Sequence, residues 1–361
     1  MKSNLIFVLL MISGYTAFGQ VVPIIHKGKY YNWKEYPGRV DFHSEKFDST
    51  ANFKYTHFDS TADFFGAQFD SIADFFGAQF NSTADFSGVQ FDSSAYFFGT
   101  QFDSIASFRG ANIQESIYFD DSTLPYLLDL SGIRIKEGNL DLTNSIVNEK
   151  YGKCLINLVN VDIEKLKLRY SMFELRFPYD DAFNSDMKTN IYERLLKTQK
   201  DNGFTSSYEK LDKEYSEFKY IKSGKYSSIG GWILNMVNKY WWGYGYDKTL
   251  IIVNTLLIFV LFSIVNCIFF PWILNIYEVP NIKNLAVAVT AKNVIFHRIK
   301  ILPIAFFYTG LIFFGLKFTT ENLKYKENLI GWRFFNLVYF FVIYISGLVC
   351  LGYLANFILS T

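Results

Sequence analysis

The sequence predicts a β-solenoid followed by an α-helical connector and an α-helical transmembrane region. Phenylalanine recurs at a fixed period through the N-terminal third, a charged, helix-patterned stretch comes next, and long uncharged runs fill the last third. Of the 361 residues, 50% are hydrophobic and 19% aromatic, above an ordinary soluble chain and suited to contact with lipid. The formal charge of +1 argues against a general polyanion binder, which needs a clustered positive field, so no nucleic-acid partner is expected. Cys154, Cys267 and Cys350 offer neither a disulfide framework nor a zinc set. The last two lie inside apolar runs, where the thiol acts as a small hydrophobe.

Residues 1–19 read as a secretory signal peptide. Lys2 is the basic start, Leu5 to Ile12 the apolar core, and Ala17 and Gly19 the small residues ahead of cleavage after Gly19. That core is too short to span a bilayer, and an uncleaved anchor is the alternative. Export would place the repeat outside the cytosol.

The phenylalanines stand at 42, 47, 53, 58, 64, 69, 75, 80, 86, 91, 97, 102 and 108, in steps of five and six with a net period of eleven. The unit is Phe58-Asp59-Ser60-Thr61-Ala62-Asp63-Phe64-Phe65-Gly66-Ala67-Gln68, returning from Phe69, Phe80, Phe91 and Phe102. Fixed-period self-similarity specifies a solenoid, in which each unit buries its apolar face only by stacking on the next. A right-handed helical supercoil shares this period. The Gly, Ser, Asp and Thr between the phenylalanines are turn formers of poor helix propensity, which argues for strands.

The segments Ala62-Asp63-Phe64-Phe65-Gly66 and Ala67-Gln68-Phe69-Asp70-Ser71 resemble the pentapeptide-repeat family, whose motif is a small residue, a polar residue, Leu or Phe, and two variable positions. The resemblance implies a right-handed quadrilateral β-helix, with Phe64, Phe69, Phe75 and Phe80 stacked inside and Ala62, Ala67, Ala73 and Ala78 beside them. The chain departs from the motif by one extra residue every second pentad, at Thr61, Ile72 and Thr83. We read these as bulges at a corner, giving a coil of about 22 residues on the family's four-sided geometry. The register continues through Ile113, Phe119, Leu124, Leu130 and Ile135, then more loosely through Leu158, Ile163 and Leu168, so the solenoid is expected over 42–170.

Residues 42 to 119 carry ten acids against three bases, Lys46, Lys54 and Arg109, which makes an acidic surface. Some acidic members of the family imitate DNA, a role that export would remove from this chain. Asp59, Asn81 and Asp103 would stack along one edge, as would Asp70 and Asp92. Such a ladder could collect divalent cations. The plainer expectation is solvated turn residues that keep a stacked sheet soluble.

The connector is expected over 183–240. Tyr192, Leu195, Leu196 and Gln199 share one side of a first helix ending near Gly203, and Ser206-Ser207-Tyr208-Glu209 has the spacing of a capping box opening a second. Their Lys and Glu positions read as a solvated face, with an oligomerising hairpin as the other possibility.

Aromatic and cationic residues from Lys239 to Lys248 have the composition of a bilayer interface. The run that follows, 249–270, is uncharged and long enough to cross the hydrocarbon, as is 334–359 after Trp332 and Arg333. Between them, 301–318 is a short stretch holding Pro303, Gly310 and Gly315. It is expected to span, with a re-entrant helix as the alternative. The loop after the first span holds Lys283, Lys292, Arg298 and Lys300 against Glu278, which suits a cytosolic side and places the solenoid on the periplasmic or extracellular side of the cell membrane.

This order resembles pentapeptide-repeat proteins joined to a two-helix potassium-channel module. Trp242-Gly243-Tyr244-Gly245 matches the signature before the first span, and the stretch from Phe306 to Phe314 sits where the pore helix would be. The carbonyl-lined Thr-Val-Gly-Tyr-Gly filter is missing, so potassium conduction is not expected. The candidate pore or polar membrane residues are Thr309, Gly315, Lys317, Asn336 and Asn356. Asn254 and Asn266 are polar in the same region, where an Asn more often bonds a neighbouring helix. His26, His43, His57 and His297 are scattered, no phosphate-cradling glycine loop occurs, and neither an enzyme nor a cofactor is expected. Two function classes remain: a non-enzymatic envelope scaffold, homo-oligomeric and partnered by the bilayer and an envelope protein or wall component, or a divergent channel or transport module.

Overall fold

The computed structural model describes residues 30–178, 185–225, 228–269, 294–316 and 332–359. The expected signal peptide, Lys317 and the loop cations Lys283 and Lys292 lie outside the described residues. The chain divides after Lys222 into two compact units.

In the first unit the chain winds a parallel β-solenoid. Short strands, from β1 (Glu35–Tyr36) to β24 (Phe173–Leu175), form four sheets of six, seven, five and six strands. Phe58 lies over Phe80 and Ala62 over Ala84, so a coil is 22 residues long. Two corner types alternate, and together they produce the steps of five and six. Between Phe64 and Phe69 the chain turns tightly through Gly66 at φ +65°, a conformation that costs an L side chain energy. Between Phe58 and Phe64 it passes a wider bend at Asp59 and Ser60, which holds the additional residue. The Asp of the repeat closes the tight turn: Oδ1 of Asp63, Asp74 and Asp85 accepts the N–H two residues on, at 2.9–3.1 Å.

The interior is filled by rings. Phe53, Phe75, Phe97 and Phe119 stack nearly parallel with centroids 4.8, 4.8 and 5.0 Å apart, the spacing of neighbouring strands. The neighbouring column of Phe64 and Phe86 meets Phe75 edge to face at 5.5 and 5.3 Å, so face and edge quadrupoles complement each other. Phe64, Phe69, Phe75 and Phe80 are fully buried, as are Ala62, Ala67, Ala73 and Ala78, whose small side chains leave the rings room. After Ile135 the coil lengthens, with Ile117 over Leu140 and Leu127 over Leu155. Loops absorb the additional residues while Leu158, Ile163 and Leu168 stay inside. The strands extend beyond 42–170 at both ends, because Tyr36 and Phe173 also fill interior positions that the phenylalanine spacing does not reveal.

Helices α1 (Ser185–Asp201) and α2 (Thr205–Lys222) close the last coil. Ile191, Tyr192, Leu195, Leu211 and Tyr215 join the solenoid's core, covering apolar surface that an uncapped end would expose. Several of the polar and charged groups serve this contact and are not the solvated face expected from the sequence. Lys210 Nζ donates to the carbonyls of Ser171 and Phe173 at 3.1 and 2.6 Å. Gln199 accepts from Tyr170 N–H and donates to Leu168 O, both at 3.2 Å. Ser207 accepts from Ser171 N–H at 3.0 Å, and α2 opens at Thr205, one residue ahead of Ser206, which the capping-box spacing places at the cap.

The second unit contains α3 (Ile229–Tyr240), α4 (Lys248–Ile268), α5 (Val294–Phe313) and α6 (Trp332–Leu359). Among the described residues, α4 and the 337–356 stretch of α6 are long and apolar enough to cross a membrane, with mean hydropathies of 2.6 and 2.2. In α5 the apolar part is only Leu302–Phe313, shorter than the span expected over 301–318, because Arg298 and Lys300 occupy its first turns. The α4, α5 and α6 helices pack around Ala305, Tyr308, Ile312, Phe340 and Ile343. Gly347 lets α6 come so near α5 that a Cβ there would lie 1.6 Å from Phe313 O.

Candidate functional site

Two arrangements, one in each unit, gather polar side chains. In the helical unit, Asn266 lies near the end of α4 and is fully buried, so its amide needs partners inside the protein. Its Nδ2 donates to Thr309 Oγ1 of α5 at 2.8 Å, and its Oδ1 accepts from Tyr339 OH of α6 at 3.0 Å. Thr309 Oγ1 in turn donates a hydrogen bond to Ala305 O at 2.6 Å. Each helix contributes one side chain, and the polar atoms satisfy one another.

Of the residues singled out in the sequence, Thr309 belongs to this cluster. Gly315 stands apart at φ +63°, its N–H donating to Ile312 O at 3.1 Å where α5 ends. Asn336 and Asn356 lie on one helix, and 20 residues along it put them about 30 Å apart, too far to share a site. Asn356 is exposed, and Lys317 lies outside the described residues. Tyr339 had no distinguishing signal in the sequence, one aromatic among many in α6. Asn254 donates to Tyr240 O at 2.7 Å and so caps α3. Gly243–Gly245 is a 3-10 turn between α3 and α4, with Tyr244 at φ 57° donating its hydroxyl to Asn235 Oδ1 at 3.1 Å. The motif read as a channel signature makes a helix-to-helix corner.

The second arrangement lies on the five-stranded sheet of the solenoid. Gln68, Gln90, Asn112 and Arg134 stand in register in successive coils. Gln90, Asp92, Asn112, Gln114, Arg134 and Lys136 line a groove of about 470 Å³. Gln90 Nε2 donates to Asp92 Oδ1 at 2.7 Å, which orients that carboxylate. Lys165 reaches the same corner, its Nζ donating to the carbonyls of Ile135 and Lys136 at 3.0 and 2.6 Å. At the other end of the sheet Lys46 is paired with Asp70 at 3.1 Å, whereas Arg134 and Lys136 make no side-chain ion pair among the described residues. The 22-residue register carried past Phe119 would have aligned these side chains from the sequence alone.

The carboxylate edge is interleaved with amides. Asn81 Nδ2 donates to Asp59 Oδ1 at 3.0 Å, and Asn148 Nδ2 donates to Asp103 Oδ1 at 3.3 Å. Asp70 accepts from Gln68 at 2.8 Å. Among the described residues no three His, Cys, Asp or Glu side chains are grouped to hold a metal ion. At the cap, burial raises the Glu214 carboxyl above its ordinary value, and the Tyr170 hydroxyl donates to it. Leu175 N–H donates to that same hydroxyl at 3.1 Å, which makes this buried group a tie between cap and coil.

The fold thus defines a repeat β-solenoid with a helical cap, followed by apolar helices. Compared with protein-family models, curated proteins and solved structures, the chain matches none.

Proposed function

We propose that the chain is a non-enzymatic, membrane-anchored pentapeptide-repeat protein of the cell envelope. Its solenoid is an interaction scaffold for an envelope protein or wall component on the outer side of the membrane, and its C-terminal helices hold it in the bilayer as a homo-oligomer. The observation that carries this reading is a solenoid interior filled by stacked phenylalanines, which leaves recognition to the outer faces, in one chain with two helices of membrane-crossing length. The 22-residue coil and the alternation of buried Ala and Phe support the family resemblance.

The buried Asn266, Thr309 and Tyr339 cluster favours a second reading, a divergent channel or transport module, since polar groups in an apolar bundle often mark a pathway. Their mutual hydrogen bonds weigh toward a tie between helices, because a pathway would leave polar atoms facing water. The test is ion flux from liposomes holding the purified full chain. The anchor reading expects no flux of potassium, sodium or chloride, and the same result for Thr309→Val and Asn266→Leu. Conductance that these substitutions alter would replace the anchor with a pore at α5.

A further inference from the structure

The groove on the five-stranded sheet is an unassigned surface whose chemistry restricts what it can hold. It is a half-open groove of about 470 Å³ that would leave one side of a ligand in solvent. One end carries Arg134 and Lys136, without ion-pair partners among the described residues, beside Lys165. This basic corner sits on a solenoid whose stretch from 42 to 119 holds ten acids against three bases. Away from the corner the lining is carboxamide, from Gln90, Asn112 and Gln114, plus the carboxylate of Asp92, which Gln90 orients; Gln114 donates to Glu137 Oε1 at 2.8 Å and leaves its carbonyl oxygen to a ligand. Carboxamides both donate and accept, as does a hydroxyl, while the planar fork of Arg matches a carboxylate.

We propose that this groove binds an acidic oligosaccharide, with Arg134 and Lys136 holding a sugar carboxylate and the amide column with Asp92 holding the hydroxyls. A peptide strand fits less well: the strands at Gln90 and Asn112 are hydrogen-bonded on both edges, and on the edge strand at Arg134 and Ile135 the carbonyls of Ile135 and Lys136 already accept from Lys165. A nucleic acid would meet the acidic coils beside the groove, and its regularly spaced phosphates need a longer positive track. The coils repeat the amide position once per strand spacing, which suits a ligand that is itself a repeating chain. The inference deepens the scaffold reading and rests on it, naming the class of its wall partner.

The experiment is fluorescence anisotropy of a labelled oligogalacturonate titrated with the full chain in detergent. A neutral cello-oligosaccharide and a polyglutamate peptide of similar length are the competitors. Saturable binding is expected, weakened about tenfold or more in Arg134→Ala and in Lys136→Gln, the loss typical of a hydrogen bond to a charged group. Arg109→Ala, which removes a cation outside the groove, should bind as the parent does. Melting curves of the variants are compared, and Lys136→Gln serves where Arg134→Ala unfolds. No saturable binding, an equal loss in Arg109→Ala, or polyglutamate competing as well as the sugar would each overturn the proposal. Ion flux through the helices would overturn the scaffold reading while groove binding stayed measurable; absent binding without flux would remove the ligand alone.

Discussion

Phe75 and Phe76 are adjacent aromatics with opposite roles. Phe75 is fully buried and stacks 4.8 Å from both Phe53 and Phe97, whereas Phe76 points outward and is 40% exposed. Phe75→Ala should therefore destabilise the solenoid by about 3–5 kcal/mol, since the rings above and below cannot close the hole. Phe76→Ala should stay within about 0.5 kcal/mol of the parent. Denaturant melts of the two variants check the contrast, and equal losses would mean that the rings are not the main source of stability. The spacing of the sequence places Phe75 inside; Phe76 falls in the turn after the strand Ala73–Asp74, where its side chain faces solvent.

At the scale of elements, the helical cap depends on contacts that no local pattern encodes. Arg194 of α1 hydrogen-bonds Glu164 and lies 2.7 Å from Asp162 on the last coils. The Arg194 guanidinium holds the Glu164 carboxyl at about 2, below its ordinary 4.5. A carboxyl lowered on folding contributes stability that is present above its unfolded value, and the contribution fades as pH falls from 4.5 through about 2. Glu164 is largely solvated, so screening keeps the effect small and local. Hydrogen-exchange protection across 163–173, taken relative to the intrinsic rate at each pH, should fall in the parent over that acid range, and the fall should be weaker in Arg194→Ala. An unchanged acid response in the variant would show that another group controls the cap. From sequence, α1 and α2 are legible as amphipathic helices through Tyr192, Leu195 and Leu211. That their apolar faces close the solenoid is not, because the cap's contacts join residues about 30 or more apart in the chain.

For the whole molecule, a solenoid couples each coil chiefly to its neighbours, so damage at one end should propagate weakly. Replacing Leu195 and Leu211 together by Asp puts two charges into the cap's apolar contact. Hydrogen exchange should then show lost protection around 154–175, while the coils between Phe58 and Phe102 keep theirs. Uniform loss along every coil would mean that the stack folds as a single cooperative block. The helical unit follows different rules: α4 and α6 expose broad apolar faces, and a few internal contacts, Asn266 with Thr309 and Tyr339 and the close approach at Gly347, hold the helices to α5.

The sequence by itself determined the solenoid's period, its inward residues and the apolar runs, because each depends on short-range repetition that stacking or lipid can read directly. The tertiary structure alone decided the role of the cap and the joining of Thr309 to Asn266 and Tyr339. These depend on residues a coil or more apart meeting in space. A buried amide acquires its meaning from neighbours that no local spacing specifies.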